Sequence, residues 1–371
     1  MEVKLDKGYS WVVCFSSFWI CGVSVGSSLA YGVLMPSVKS HYGCSTVIVA
    51  AIGSVRLAVM FLFSIPFASL ADYFGFKIAT VGGCLLATTS LVISAYSTSW
   101  QIFLVSYGVV AGFGFGVATF VCQSCPSMFF EKWLSVANAI VFSGNSIGKL
   151  MFAPMLSLVL ENYGLKMALL MEAVLSMIAS LTGLLIVSPP SDNYQTIDSK
   201  TTQKADSNMK KVLTNRRFII NLTGFAFANL VLSIPVLFIP SLLTEQGLTL
   251  QEASFAISIM GITNTVGRLL CGLVDLYPQH TIKSLGFASL GSGMTMVFMV
   301  PFKSITMSYT VCAFHGLLSG PIMSLSHAVK LRLLDREQLL TACGISETIT
   351  GITILAGLYL ARHFCKSGAE K

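Results

Sequence analysis

The chain has 371 residues, of which 54% are apolar and only 11% are charged, and its mean hydropathy is +0.77. A soluble globular protein carries about 25% charged residues, so this chain could not cover a water-facing surface. A disordered, collagenous or disulfide-stapled protein is excluded by the same figures. The net charge of +7 comes from short basic clusters between apolar blocks, without the aromatic-interleaved basic stripe that binds nucleic acid. Most of the chain is therefore predicted to face lipid.

Eleven apolar stretches are long enough to cross a bilayer, because a spanning helix needs about 20 predominantly apolar residues. These segments cover 10–36, 46–70, 77–97, 101–124, 135–160, 165–187, 217–243, 253–276, 281–301, 304–329 and 339–361. One polar connection, which begins Ser-Pro-Pro, separates six segments from five. The sequence thus predicts an N-terminal lobe at 1–187, a linker loop at 188–216 and a C-terminal lobe at 217–371.

The distribution of basic residues predicts the orientation in the membrane. If the N-terminus is cytoplasmic, fourteen Lys and Arg lie in inner connections and three, Lys39, Lys166 and Lys303, lie in outer ones. Basic residues favour the cytoplasmic side, so the N-terminus and the linker loop are predicted there. Eleven crossings would leave the basic tail around Arg362 outside. Either a twelfth segment is missing from this chain, which we favour, or the last segment does not cross.

An internal repeat indicates two similar halves. The sequence Ser-Leu-Ala-Asp at 69–72 ends segment 2, and Gly-Leu-Val-Asp at 272–275 ends segment 8. Two similar halves of six helices are the layout of the major facilitator fold. We therefore predict an all-α, polytopic membrane protein with that fold and two pseudo-repeat helical lobes.

The loop at 71–77 reads Ala-Asp-Tyr-Phe-Gly-Phe-Lys and resembles the signature between helices 2 and 3 of major facilitator transporters. The resemblance implies that Asp72 caps and pairs at a helix end, that Gly75 permits the tight turn, and that Lys77 serves the cytoplasmic gate. Asp275 occupies the corresponding position of the second half. An ordinary polar turn is the alternative.

Two further motifs resemble those of monocarboxylate transporters. Asp6, Gly8 and Trp11 stand in a stretch similar to the acidic-Gly-aromatic-small-Trp start of helix 1 in that family. The stretch 129–148, which begins Phe-Phe-Glu and continues through Lys132, is similar to the second signature of the family, at the start of helix 5. The resemblance covers essentially the whole chain.

The resemblance implies a secondary active or facilitative transporter that moves monocarboxylates or related small organic anions across the plasma membrane by alternating access. It also implies a single-span immunoglobulin-type chaperone as a partner, and it leaves open whether a proton is carried with the anion. No nucleotide-binding or hydrolase motif stands in a convincing context. Neither an enzyme nor an ATP-driven pump is expected, and no cofactor or metal is predicted.

The chain departs from the lactate-type members of this family at two places. The lysine on their helix 1 corresponds to Met35, and the acid four residues before the helix 8 arginine corresponds to Asn264. The arginine itself is present as Arg268, and its planar fork matches a carboxylate. We therefore predict that Arg268 binds the substrate carboxylate and that Asn264, one turn earlier, assists it. A structural Arg268–Asp275 pair is the alternative.

Other charged residues inside the apolar segments are weaker candidates. Arg56, Lys149, Glu172 and Glu347 are expected to line a cavity or to form buried pairs, since unpaired charges are rare there. Of these, Arg56 and Glu347 are predicted as cavity residues. The loss of the acid and the lysine also favours an alternative function, a proton-independent carrier of amino acids or similar amphiphiles. A non-transporting truncated product is the remaining alternative.

Overall fold

The computed structural model describes residues 5–187, 209–245, 250–274, 280–299, 304–334 and 336–369, and these ranges are almost entirely helical. The N-terminal half contains α1 (Tyr9–Leu29), α2 (Met35–Tyr42), α3 (Thr46–Leu62), α4 (Ser64–Phe74), α5 (Phe76–Ala95), α6 (Trp100–Phe103), α7 (Ala111–Phe129) and α8 (Leu134–Gly183). The C-terminal half contains α9 (Arg216–Glu245), α10 (Leu250–Val274), α11 (Thr281–Met299), α12 (Ile305–Leu333) and α13 (Arg336–Ala369).

Each of the eleven predicted segments coincides with described helix. Segment 1 is α1 and α2 joined by a 3-10 turn at Ala30–Val33, and segment 4 is α6 and α7 joined by a π-helix at Leu104–Val110. Segments 5 and 6 are both contained in α8, which breaks at Gly164. That residue has a φ of 78° and a ψ of −179°, a backbone conformation essentially restricted to glycine. The break divides α8 into helices over 134–163 and 165–183.

Several helices are long and apolar enough to cross a membrane. In the described part of the chain these are Tyr9–Val33, Phe76–Ala95, Trp100–Phe129, Leu134–Gly183 and Gln338–Ala356, and a sixth is the bent pair Val47–Leu62 and Ser64–Phe74, with a bend of 54°. Large apolar side chains such as Phe15 and Ile93 are exposed on these helices. Exposed apolar surface of this extent is suited to contact with lipid.

Glycines allow the closest helix contact of the N-terminal half, between α1 and α8. A Cβ built on Gly26 would lie 2.6 Å from the main chain of Gly148, and one built on Gly22 would lie 3.3 Å from the carbonyl oxygen of Gly144. A Cβ does not fit at 2.6 Å, and 3.3 Å is tighter than most real Cβ contacts, so the two backbones meet directly. Small residues at every fourth position permit this packing in membranes.

The two halves meet along two lines of contact. In the first, a Cβ on Gly272 of α10 would lie 2.7 Å from that of Ala139 on α8. In the second, a Cβ on Gly351 of α13 would lie 2.6 Å from the main-chain nitrogen of Leu62 on α3. The first line is called here the α8–α10 seam, and it brings the predicted substrate residues of α10 against the N-terminal half.

Candidate functional site

Asn264 and Arg268 lie one turn apart on α10, and both contact α8 across the seam. The hydroxyl of Ser146 on α8 donates to Oδ1 of Asn264 at 3.3 Å, and Nδ2 of Asn264 donates to the hydroxyl of Ser319 on α12 at 3.1 Å. Arg268 is only 8% exposed, and its Nη1 donates to the main-chain carbonyl of Phe142 on α8. Its Nε is buried without a hydrogen-bond acceptor. The two residues predicted to bind substrate therefore connect the two halves.

The close approach of α12 fixes the position of this part of α10. A Cβ built on Gly320 of α12 would contact the carbonyl oxygen of Asn264 and would lie 3.2 Å from the main-chain nitrogen of Arg268. Any larger residue at position 320 would push α12 away from α10. Glycine at this position thus keeps Ser319 within hydrogen-bonding distance of Asn264.

Glu347 belongs to a buried polar cluster between α12 and α13. Its Oε1 lies 3.1 Å from Nε2 of His327, and Nδ1 of that histidine lies 3.6 Å from the sulfur of Cys343. The ring of Phe142 packs against His327 with a centroid distance of 4.7 Å. Phe142 therefore contacts Arg268 through its carbonyl and His327 through its ring. The predicted cavity residue Glu347 is paired and buried in this conformation.

Lys330 extends the same cluster toward the C-terminal end of α12. Its side chain is completely buried, and its Nζ lies 4.9 Å from the centroid of the Phe225 ring on α9. The described residues offer no hydrogen-bond acceptor to this ammonium group. A cation over an aromatic face is stabilised by the ring quadrupole. The sequence does not single out Lys330, because this residue directly follows segment 10 and belongs there to the basic residues of a cytoplasmic connection.

Arg56, predicted as a cavity residue or a member of a buried pair, forms a buried ion pair inside the N-terminal half. One Nη2–Oε1 contact of 2.5 Å joins it to Glu172 on α8, and both side chains are fully enclosed. The same nitrogen donates to the hydroxyl of Ser27 at 2.9 Å, and the guanidinium lies 4.3 Å from the centroid of the Tyr107 ring. Because Glu172 neutralises Arg56 within the lobe, neither charge requires a water-filled cavity.

The predicted gate loop joins α4 to α5. Gly75 has a φ of 81°, and its N–H donates to the carbonyl of Ala71 at 3.0 Å. This left-handed conformation is the reason for glycine at the turn. Lys77 is exposed and Asp72 is partly buried, whereas Asp275 lies outside the described residues. The gating role of these residues stays a prediction.

The two family motifs, which lie at the starts of α1 and α8, contact each other. The carboxylate of Asp6 accepts hydrogen bonds from the main-chain N–H groups of Glu131, Lys132 and Trp133, at 3.0 to 3.1 Å. The Asp6 N–H donates to the carbonyl of Phe129 at 3.1 Å. These N–H groups belong to the turn directly before α8, where a carboxylate also complements the helix dipole. Asp6 thus anchors the turn that leads into the helix carrying the Arg268 contact.

Gly8 and Trp11 contribute to the same contact between the start of α1 and the turn before α8. Gly8 has a φ of 48°, so the chain turns sharply there before α1 begins. The Trp11 ring meets the Phe130 ring edge to face, with centroids 4.9 Å apart. Lys132, predicted in a gating role, places its Nζ 5.8 Å from the centroid of the Trp133 ring. Both motifs are visible in the sequence, but their contact is not, because neither motif indicates which segment it packs against.

The family profile of the Major Facilitator Superfamily matches residues 15–366, and the chain belongs to this superfamily. It is therefore a multi-pass membrane protein that transports small organic substrates, not an enzyme. Monocarboxylate transporter 3 of Rattus norvegicus is 22% identical, with 95% of this chain and 73% of the relative covered. Monocarboxylate transporter 13 of Rattus norvegicus is also 22% identical, with 96% and 83% covered. These matches confirm the resemblance seen in the motifs.

Solved structures confirm the fold. The human organic anion transporter MFSD10 (TETRAN) aligns with a TM-score of 0.76 at 15% identity, with 95% of this chain and 92% of that chain covered. The proton:xylose symporter XylE bound to 6-bromo-6-deoxy-D-glucose aligns with a TM-score of 0.75 at 12% identity, with 97% and 90% covered. The prediction of an all-α, polytopic major facilitator fold is thereby confirmed.

We predict that Asp6→Ala destabilises the protein by about 1–3 kcal/mol, because three main-chain donors lose a charged acceptor. The measurement is thermal unfolding of the purified protein in detergent. Asp6→Asn should lie between Asp6→Ala and the unchanged protein, since the amide oxygen still accepts but carries no charge. Lys7→Gln, at an exposed neighbouring position, is the control and should not change the unfolding midpoint. Equal midpoints for Asp6→Ala and Lys7→Gln would contradict the anchoring role of Asp6.

Proposed function

We propose that this chain moves monocarboxylates or related small organic anions across the plasma membrane by alternating access between lobes 1–187 and 217–371, joined by the linker 188–216. The observation that carries this proposal is the position of Arg268, a buried cation on the α8–α10 seam. The names of the relatives, monocarboxylate transporters, and of one structural neighbour, an organic anion transporter, support an anionic substrate.

The chemistry of Arg268 suits a carboxylate that arrives between the lobes. Its present acceptor is the neutral carbonyl of Phe142, and its Nε has no acceptor. A guanidinium binds a carboxylate through two parallel N–H bonds, and charge-assisted bonds of this kind are about twice as strong as neutral ones. A substrate carboxylate would therefore replace the Phe142 carbonyl favourably. Asn264, one turn away, can donate or accept a further hydrogen bond.

Transport through this site is proposed to be facilitative rather than proton-coupled. Asn264 and Met35 stand where the resemblance implies a titrating acid and lysine, and neither side chain titrates. The hydrogen-bonded pair of His327 and Glu347 is the substitute that coupling would require. The same neutral Asn264 favours the second candidate, a carrier of amino acids or similar amphiphiles. The single-span immunoglobulin-type chaperone stays a prediction from the resemblance alone.

Replacing Arg268 tests the proposed function directly. We predict that Arg268→Lys, which keeps the charge but loses the fork, lowers substrate affinity about ten- to a hundred-fold, and that Arg268→Ala abolishes uptake. Uptake is measured in liposomes that contain purified protein, against a panel of labelled monocarboxylates and amino acids. Arg217→Lys, at an exposed position, is the matched control and should transport normally. Normal uptake by both Arg268 variants would make the residue structural.

The proposed orientation is tested with two exposed tyrosines at opposite ends of the helices. Tyr73, beside the gate loop, is 77% exposed, and Tyr163, beside the break in α8, is 70% exposed. We predict that, in intact cells and without the native cysteines, an impermeant thiol reagent labels Tyr163→Cys but not Tyr73→Cys, because basic connections lie inside. Permeabilised cells should label both variants. The reverse pattern would invert the orientation.

We predict that uptake depends only weakly on a pH gradient. The substrate gradient is fixed while the external pH is lowered from about 7.5 to about 6, the range in which a histidine or a raised carboxyl would titrate. Asn264→Asp should steepen the dependence, because it restores an acid one turn from Arg268. Asn162→Asp, an exposed position far along α8, is the control. Stimulation of the unchanged protein together with proton entry would contradict facilitated diffusion.

A further inference from the structure

Lys149 lies on the side of α8 that faces away from the lipid. Met151 and Leu158 mark the outer face of this helix, since they are 47% and 61% exposed. Successive residues of a helix are separated by about 100°, so Lys149 points almost opposite to both. Its side chain is half-buried. The geometry of α8 therefore directs this lysine toward the interior between the two lobes.

The neighbours of Lys149 place it beside the candidate substrate site. Ser146, one turn earlier on α8, donates to Asn264 across the seam. On the other flank, the main-chain nitrogen of Lys149 would lie 2.8 Å from a Cβ built on Gly26 of α1. Asn145, also on this stretch, has a buried Oδ1 without a hydrogen-bond partner. Lys149 thus stands where α1, α8 and α10 come together.

Unlike Arg56 and Arg268, Lys149 has no hydrogen-bonded partner for its charge among the described residues. Arg56 is paired with Glu172, and Arg268 donates to the Phe142 carbonyl. Across the described ranges, neither a carboxylate nor another hydrogen-bond acceptor contacts the Lys149 ammonium group. An unpaired charge within a membrane span is expensive unless it meets water or a counter-ion. The charge of Lys149, on the inward face of α8, is therefore stabilised when the space between the lobes holds water or an anion.

We propose that Lys149 is a substrate-binding residue that holds the carboxylate of the transported anion. This inference rests on the proposed function and adds a second cation to its site. Phe142, the contact of Arg268 on α8, lies seven residues before Lys149, which is about 10 Å along the helix. In this proposal one carboxylate contacts the two cations in succession. Lys149 receives the anion while Arg268 is still bonded to the Phe142 carbonyl.

The first experiment measures the surroundings of position 149 without requiring any transport. Purified protein without its native cysteines is given Lys149→Cys and treated with 2-aminoethyl methanethiosulfonate, a small charged thiol reagent. Rapid modification is expected, because the side chain faces a water-filled interior. Met151→Cys, at nearly the same depth on the lipid face, is the matched control and should react slowly. Equal, slow reaction at both positions would overturn the proposal.

The second experiment measures the role of the charge. Uptake of labelled acetate, lactate, pyruvate and benzoate is compared for the unchanged protein, Lys149→Met and Lys149→Arg in liposomes. Lys149→Met is expected to weaken affinity about ten- to a hundred-fold, and Lys149→Arg to retain most of it. The aminoethyl adduct of Lys149→Cys restores a cation and should recover uptake, which separates loss of charge from misfolding. Met151→Cys should transport normally before and after treatment.

The outcomes separate this proposal from the function on which it rests. If the unchanged protein takes up one of these anions and Lys149→Met does so with unchanged affinity, Lys149 is not a binding residue and the proposed function stands. If the unchanged protein takes up none of them, the anion function fails and the assignment of Lys149 fails with it. Loss of uptake in Lys149→Met with recovery by the aminoethyl adduct supports both.

Discussion

The cost of a charge in hydrocarbon determines how this structure is arranged. An arginine or lysine at the centre of a span costs about 2.5–3.5 kcal/mol on insertion scales, so each must find a partner or water inside the protein. Arg56 finds Glu172 within the N-terminal half. Among the described residues, Arg268 finds a neutral main-chain carbonyl across the seam and no carboxylate. The first arrangement is self-sufficient, whereas the second still has capacity for an anion, and this difference distinguishes a structural charge from a candidate binding one.

The lipid surroundings also explain why close backbone contacts accompany the buried apolar cluster of the N-terminal half. Between lipid-immersed helices there is little hydrophobic driving force, so association depends on close van der Waals packing and hydrogen bonds. Gly26 and Gly148 provide that packing between α1 and α8. Asp6 adds charged hydrogen bonds to the turn directly before α8. Helix α8, which contributes Phe142 to the seam, is therefore held at its start and along its length independently of its contacts with α10.

The sequence alone was sufficient to predict the membrane-spanning helices, because a run of about 20 apolar residues has few other structural interpretations. It could not assign partners to charges: Arg56 was predicted in a cavity because Glu172 lies far away in the chain. It could not show that Lys149 faces the interior either. The face of α8 that meets lipid is identified by the exposure of Met151 in the structure.

The α8–α10 seam combines close packing with hydrogen bonds that a substrate can replace. Gly272 packs closely against Ala139 there, as the glycines do between α1 and α8. The seam also contains the hydrogen bonds Ser146–Asn264 and Arg268–Phe142, each with a net contribution of about 0.5–3 kcal/mol. A ligand shifts a conformational equilibrium only by its differential affinity for the two states. A carboxylate that captures Arg268 removes one bond that closes the seam, so under the proposed function the substrate itself favours the change in access.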